Sequence, residues 1–194
     1  MKILTIAATT FSAVLLSGCF TPQNFRRDTS TVSLNSYDKL NSNWSYTIDN
    51  SIKDANRSNF KPNGHVCSLH TYTLSAGNEL SSAARRMLED LTGGNQNGAI
   101  NSITVRLESF SPKFSCAVGT VEGTCTGSAE IALAFTVLKD GKRSNFSVTS
   151  ERNADAPAGQ MCANALDAPA EATRKAIRDV LDRASERINS LASR

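Results

Sequence analysis

The stretch Thr126-Gly127-Ser128-Ala129-Glu130-Ile131-Ala132-Leu133-Ala134-Phe135-Thr136-Val137-Leu138-Lys139-Asp140-Gly141, with Phe146 and Val148 beyond it, decides the fold. Side chains of an extended chain alternate between two faces, so Ala129, Ile131, Leu133, Phe135 and Val137 share one face. Asp140-Gly141 is a two-residue hairpin signal, because both residue types accept the positive φ that a type I′ turn requires. The spacing therefore predicts a long strand, a tight turn and a return strand, with one side of the pair in a core.

Upstream, Ile103, Val105 and Leu107 alternate with Thr104, Arg106 and Glu108, which predicts another strand with one wet face. Residues 66–74 are β-branched and aromatic and read as a strand, and Ser75-Ala76-Gly77-Asn78 supplies turn and helix-cap chemistry. Leu80, Ala83, Ala84, Met87, Leu88 and Leu91 recur at helical spacing until Gly93-Gly94 ends the run. Downstream, a second helix is predicted from about Asp167, with Pro169 in its first turn and Ile177, Val180, Leu181, Ala184, Ile188 and Leu191 as its stripe. Trp44, Tyr46 and Ile48 suggest one further short strand. The expected fold class is α+β: an antiparallel sheet of about four strands with two helices on one face, in the order β-α-β-β-β-α.

The N-terminus carries an address. Lys2 is followed by a run of small and apolar residues from Ile3 to Leu16, too short to span the ~30 Å hydrocarbon core of a bilayer, and then Leu16-Ser17-Gly18-Cys19. The expected organisation is a signal peptide over 1–18, a lipidated Cys19 with a flexible tether over 19–43, and a single periplasmic domain over 44–194. The tether rests on the Ser, Thr and Asn content of 20–43 and its weak apolar periodicity. Net charge is only +3, which argues against nucleic acid as the main partner. Arg26-Arg27 reads as a solvated pair rather than a headgroup contact.

Cys67, Cys116, Cys125 and Cys162 remain beside Cys19, an even count that predicts two disulfides and an oxidising compartment. Three connectivities are open. Cys116 with Cys125 is favoured because Gly119 and Gly123 let the intervening loop turn back, leaving Cys67 with Cys162 to tie an early strand to the start of the last helix. Loop entropy allows up to ~3 kcal/mol for the short bridge and ~5 kcal/mol for the long one.

Chemistry-bearing patterns are sparse. Gly123-Thr124-Cys125-Thr126-Gly127 has the outline of a nucleophile elbow, but it leads into a strand rather than a helix. His65, Cys67 and His70 form a compact trio, yet strand alternation would send His70 to the face opposite the other two. Glu89, Asp90, Asp179, Asp182 and Glu186 sit among Arg and Lys on outer helix faces, as solvated surfaces do. The expectation is no catalytic set, no metal site and no cofactor.

The Leu16-Ser17-Gly18-Cys19 motif resembles the lipobox of signal-peptidase-II substrates, in which the first mature Cys carries acyl chains, palmitate among them. Together with the strand-to-helix passage His70 to Leu91 and the hairpin at Asp140-Gly141, the element order resembles small envelope lipoproteins. These are the YajG-type lipoproteins, the auxiliary lipoproteins of ABC-type transporters and the lipopolysaccharide-assembly lipoprotein of the outer membrane. The resemblance implies a non-catalytic accessory or docking component of an envelope assembly or transport system, held in membrane lipid through Cys19 and engaging an envelope protein. The alternative is a lipid- or glycolipid-binding periplasmic carrier. Phe20, rather than Asp, after the lipidated Cys implies the periplasmic face of the outer membrane.

Overall fold

In a computed structural model describing residues 21–41, 43–96, 98–118 and 123–193, Asp140 and Gly141 both take positive φ, 49° and 77°. They join strands β6 (Thr124–Lys139) and β7 (Lys142–Pro157) in unbroken antiparallel register from Lys139↔Lys142 to Thr124↔Pro157. Strand β5 (Asn101–Ala117) pairs antiparallel along the other edge of β6, with a bulge between Leu107 and Ser109. Strand β2 (Trp44–Ile48) closes the sheet by pairing with the first part of β5. Beyond Val105 the outer edge of β5 is free of β2, which is why Pro112, lacking an N–H, is tolerated in the middle of a long strand.

The β2–β5 pair is parallel, so the four-stranded sheet β2-β5-β6-β7 is mixed rather than antiparallel. A second, three-stranded sheet also exists, with order β1-β4-β3, built from β1 (Asn24–Asp28), β3 (Asn56–Phe60) and β4 (Thr71–Ser75). Strands β1 and β4 run parallel, and β3 and β4 antiparallel. The expected strand over 66–74 is shorter, because residues 64–70 form turns.

Helices α1 (Gly77–Thr92) and α2 (Asp167–Ala192) keep the predicted stripes and pack with the inward face of the four-stranded sheet into one core. Trp44, Met87, Leu88, Ile131, Leu133 and Ile177 are all fully buried there, each contributing ~1.5–3 kcal/mol by removal from water. A second core lies under the small sheet, where the far ends of β5 and β6 and the start of α2 meet Phe60, Tyr72 and Leu74. Gly127 belongs to this junction. A Cβ there would stand 2.2 Å from the backbone nitrogen of Pro169, so only glycine lets the strand and helix approach this closely.

The flexible tether is also corrected. Residues 24–28 are a strand, and Val32 and Leu40 are buried in the main core. Polar clasps hold the segment between the helices. The Val32 N–H donates to Glu79 Oε1 at 2.8 Å, the Leu40 N–H to the Leu91 carbonyl at 2.8 Å, and the Tyr37 hydroxyl to Asp182 Oδ1 at 2.7 Å. An extended segment lying in a groove buries single residues at irregular intervals, so it shows no period to read. The expected signal peptide over 1–18 and the expected lipidation site Cys19 lie outside the described residues.

Candidate functional site

The ladder between β5 and β6 sets Cys116 directly opposite Cys125, and their side chains are disulfide-bonded across it. A second disulfide joins Cys67, in the turn before β4, to Cys162, in a 3₁₀ turn before α2. The sulfur atoms of Cys67, Cys116 and Cys125 lie within 4.8 Å of one another, so the two separate bridges form one cluster at one end of the molecule. As bonded sulfurs they are not thiolate ligands for a metal, and Cys125 is no free nucleophile.

Behind the cluster lies an aromatic group. Phe25 stacks on Tyr72 at 5.7 Å and meets His70 edge-on at 5.1 Å, while Tyr72 and Phe114 cross at 5.0 Å. Burial pushes the Tyr72 phenol up to about 12, and its hydroxyl donates to the Cys67 carbonyl at 3.3 Å. Sequence reasoning missed this group because Phe25 and Phe60 stand in polar stretches without alternation. Their signal is only that each is a single large apolar residue.

The histidine trio does not converge, for a reason other than strand alternation. His65 and Cys67 lie in a turn, Cys67 is in a disulfide, and His65 is exposed. His70 is 4% exposed and accepts a hydrogen bond at Nδ1 from the Gln23 N–H at 3.2 Å, which fastens β1 to β4. Nor are the helix carboxylates merely solvated. Asp182 takes Tyr37 and Asn35, Glu89 accepts from the Tyr46 hydroxyl at 3.0 Å, and Asp179 pairs with Arg152 and, at 3.8 Å, Arg183. Burial pushes the Asp179 carboxyl up, but the neighbouring Ser150 hydroxyl and the two guanidiniums outweigh it and hold it below the usual carboxylate range. Within β1, Arg27 pairs with Asp167 at 3.0 Å.

Next to the disulfides an open groove of about 480 Å³ runs between Asn63, Lys113, Ser115, Thr126, Asp155 and Lys175. Its polar lining suits contact with a protein surface or water more than an acyl chain. Apolar side chains project elsewhere at this end. Leu69 is 47% exposed and Met161 58%, each within two residues of a cysteine of the long bridge, and Val118, just beyond Cys116, is 81% exposed. Met161 and Cys162 both hold positive φ, 51° and 64°, a conformation that costs a non-glycine residue ~1–3 kcal/mol and persists here under the covalent tie. Among the described residues no helix is long and apolar enough to cross a membrane.

No protein-family model and no curated protein matches the chain. Among solved structures it is similar to a protein described as a lipoprotein from Caulobacter crescentus, at 11% identity over 59% of this chain and 83% of that one, with a TM-score of 0.36. A minor lipoprotein from Acinetobacter baumannii is similar at 11% identity, covering 77% and 93%, with a TM-score of 0.40. An uncharacterized protein is similar at 7% identity, covering 82% and 99%, with a TM-score of 0.43. At these identities and TM-scores the likeness is loose, and no property of those proteins passes to this chain.

Proposed function

We propose that the chain is a lipid-anchored protein of the bacterial envelope that serves as a non-catalytic accessory, docking a partner protein at the periplasmic face of the outer membrane. The observation that carries this reading is Leu16-Ser17-Gly18-Cys19 after a short apolar run, because acyl chains at ~0.8 kcal/mol per buried CH₂ make a durable anchor when two or three are present. The paired disulfides agree with an oxidising compartment. The space between the helices and the large sheet is filled by side chains such as Trp44, Met87 and Phe135, which favours a docking surface over an enclosed ligand cavity. Phe20 in place of Asp supports the outer membrane as the address.

The test has two arms. Cys19→Ala is expected to block processing and release any otherwise processed domain from the membrane fraction. Normal detergent partitioning and an unchanged mature mass would refute the anchor. Crosslinking in native envelopes followed by mass spectrometry is expected to return a recurrent protein partner. Stoichiometric co-purified lipid without such a partner would favour a carrier instead.

A further inference from the structure

We infer that the end of the domain bearing the two disulfides lies against the membrane, with Leu69 and Met161 entering the lipid interface, while the β6–β7 hairpin points away from it. This rests on acylation at Cys19, proposed above.

Gln23 is fixed beside His70 by two hydrogen bonds, the Thr71 N–H donating to the Gln23 carbonyl at 2.9 Å and the Gln23 N–H donating to His70 Nδ1 at 3.2 Å. The His70 N–H in turn donates to the Cys67 carbonyl at 3.3 Å, so Gln23 stands next to the turn that carries the long disulfide. Only four residue steps separate Cys19 from Gln23. Fully extended, they span at most ~14 Å at ~3.6 Å per residue. A tether of the length the composition suggested would leave the distance from the membrane loose, whereas four steps keep Gln23 within ~14 Å of the acylated residue.

Leu69 and Met161 flank opposite halves of one disulfide and are far more exposed than large apolar side chains in the cores. The bridge and the left-handed backbone at Cys67, Met161 and Cys162 hold both loops in a fixed conformation. A bilayer held within ~14 Å of Gln23 by the anchor is an apolar surface within reach of both side chains.

Strand β6 runs fourteen residue steps from Cys125 to Lys139, about 46 Å at ~3.3 Å per residue, which carries Asp140-Gly141 and the adjacent Ile100 well beyond reach of the anchor. Ile100, 76% exposed, is therefore an internal control with the same apolar character at the opposite pole.

The experiment uses full-length, processed protein in vesicles of phosphatidylethanolamine and phosphatidylglycerol whose acyl chains are brominated near the headgroup, with tryptophan placed by Leu69→Trp, Met161→Trp or Ile100→Trp. Native Trp44 is fully buried and adds the same background to each. Bromolipid quenching is expected to be at least about twofold greater for Leu69→Trp and Met161→Trp than for Ile100→Trp, because an interfacial apolar side chain sits ~5–10 Å into the headgroup and acyl boundary. If Met161→Trp fails to fold, Leu69→Trp against Ile100→Trp decides alone. Equal quenching at both poles, or greater quenching at Ile100→Trp, in protein whose mass shows acylated Cys19 would overturn the inference and leave the anchor standing. An unmodified Cys19 in protein that does not bind the vesicles would refute both.

Discussion

Replacing Gly127 by alanine tests the packing on which the disulfide end depends. A Cβ at this position would stand 2.2 Å from Pro169 N, 2.5 Å from the Ala168 carbonyl carbon and 2.6 Å from Pro169 Cα. All three atoms are backbone, so no side-chain rotation relieves the contact, and strand and helix must separate by roughly 1 Å to restore ordinary van der Waals spacing. Overpacking of this kind costs ~1–3 kcal/mol. The added methyl also lowers the entropy of the unfolded chain, which offsets ~0.4–1 kcal/mol. The net expectation is a loss of ~1–2 kcal/mol, or a fall of ~2–8 °C in Tm for a chain of this size. Urea and thermal unfolding by circular dichroism, with both disulfides intact, would measure it. Ser128→Ala, one residue along, is the control and is expected to stay within ~0.5 kcal/mol of the parent. A Gly127→Ala variant as stable as the parent would refute the close approach of β6 to α2.

Two further outcomes bear on the rest of the fold. Tyr37→Phe is expected to cost ~1–3 kcal/mol, because it deletes a hydrogen bond to the Asp182 carboxylate, and to open residues 29–41 to proteolysis; protection equal to the parent would show that this bond does not hold the segment in place. Asp179, held below the usual carboxylate range, favours the folded state above the unfolded pKa of ~3.9 and loses that contribution as pH falls through its lower folded value. Asp179→Asn should therefore be less stable than the parent near pH 6, with the gap narrowing toward pH 3 in matched Tm measurements. A gap that does not change with pH would show that the Arg152 and Arg183 pairing is without effect on folding.

Periodic elements were legible without coordinates. The stripes of α1 and α2, the alternation along β5 and β6 and the Asp140-Gly141 turn are local patterns, and each repeats often enough to exclude other conformations. The disulfide partners were legible in part, through the count and the short spacing of Cys116 and Cys125. What they build was not, since the stacking of the two bridges depends on where the 3₁₀ turn at Cys162 meets the loop at Cys67.

The amino-acid sequence alone carries the Leu16-Ser17-Gly18-Cys19 motif, the α+β class and the apolar helix faces, because those properties lie in neighbours a few residues apart. Only the tertiary structure decided that residues 24–40 belong to the fold and that a second sheet exists. The reason is the reach of the contacts. Strand β1 is defined by β4, forty-seven positions later in the pairing of Asn24 with Thr71, and Tyr37 is held by Asp182 near the far terminus. A five-residue polar strand has no period of its own, and nothing in its composition tells it apart from a linker until its partner is in place.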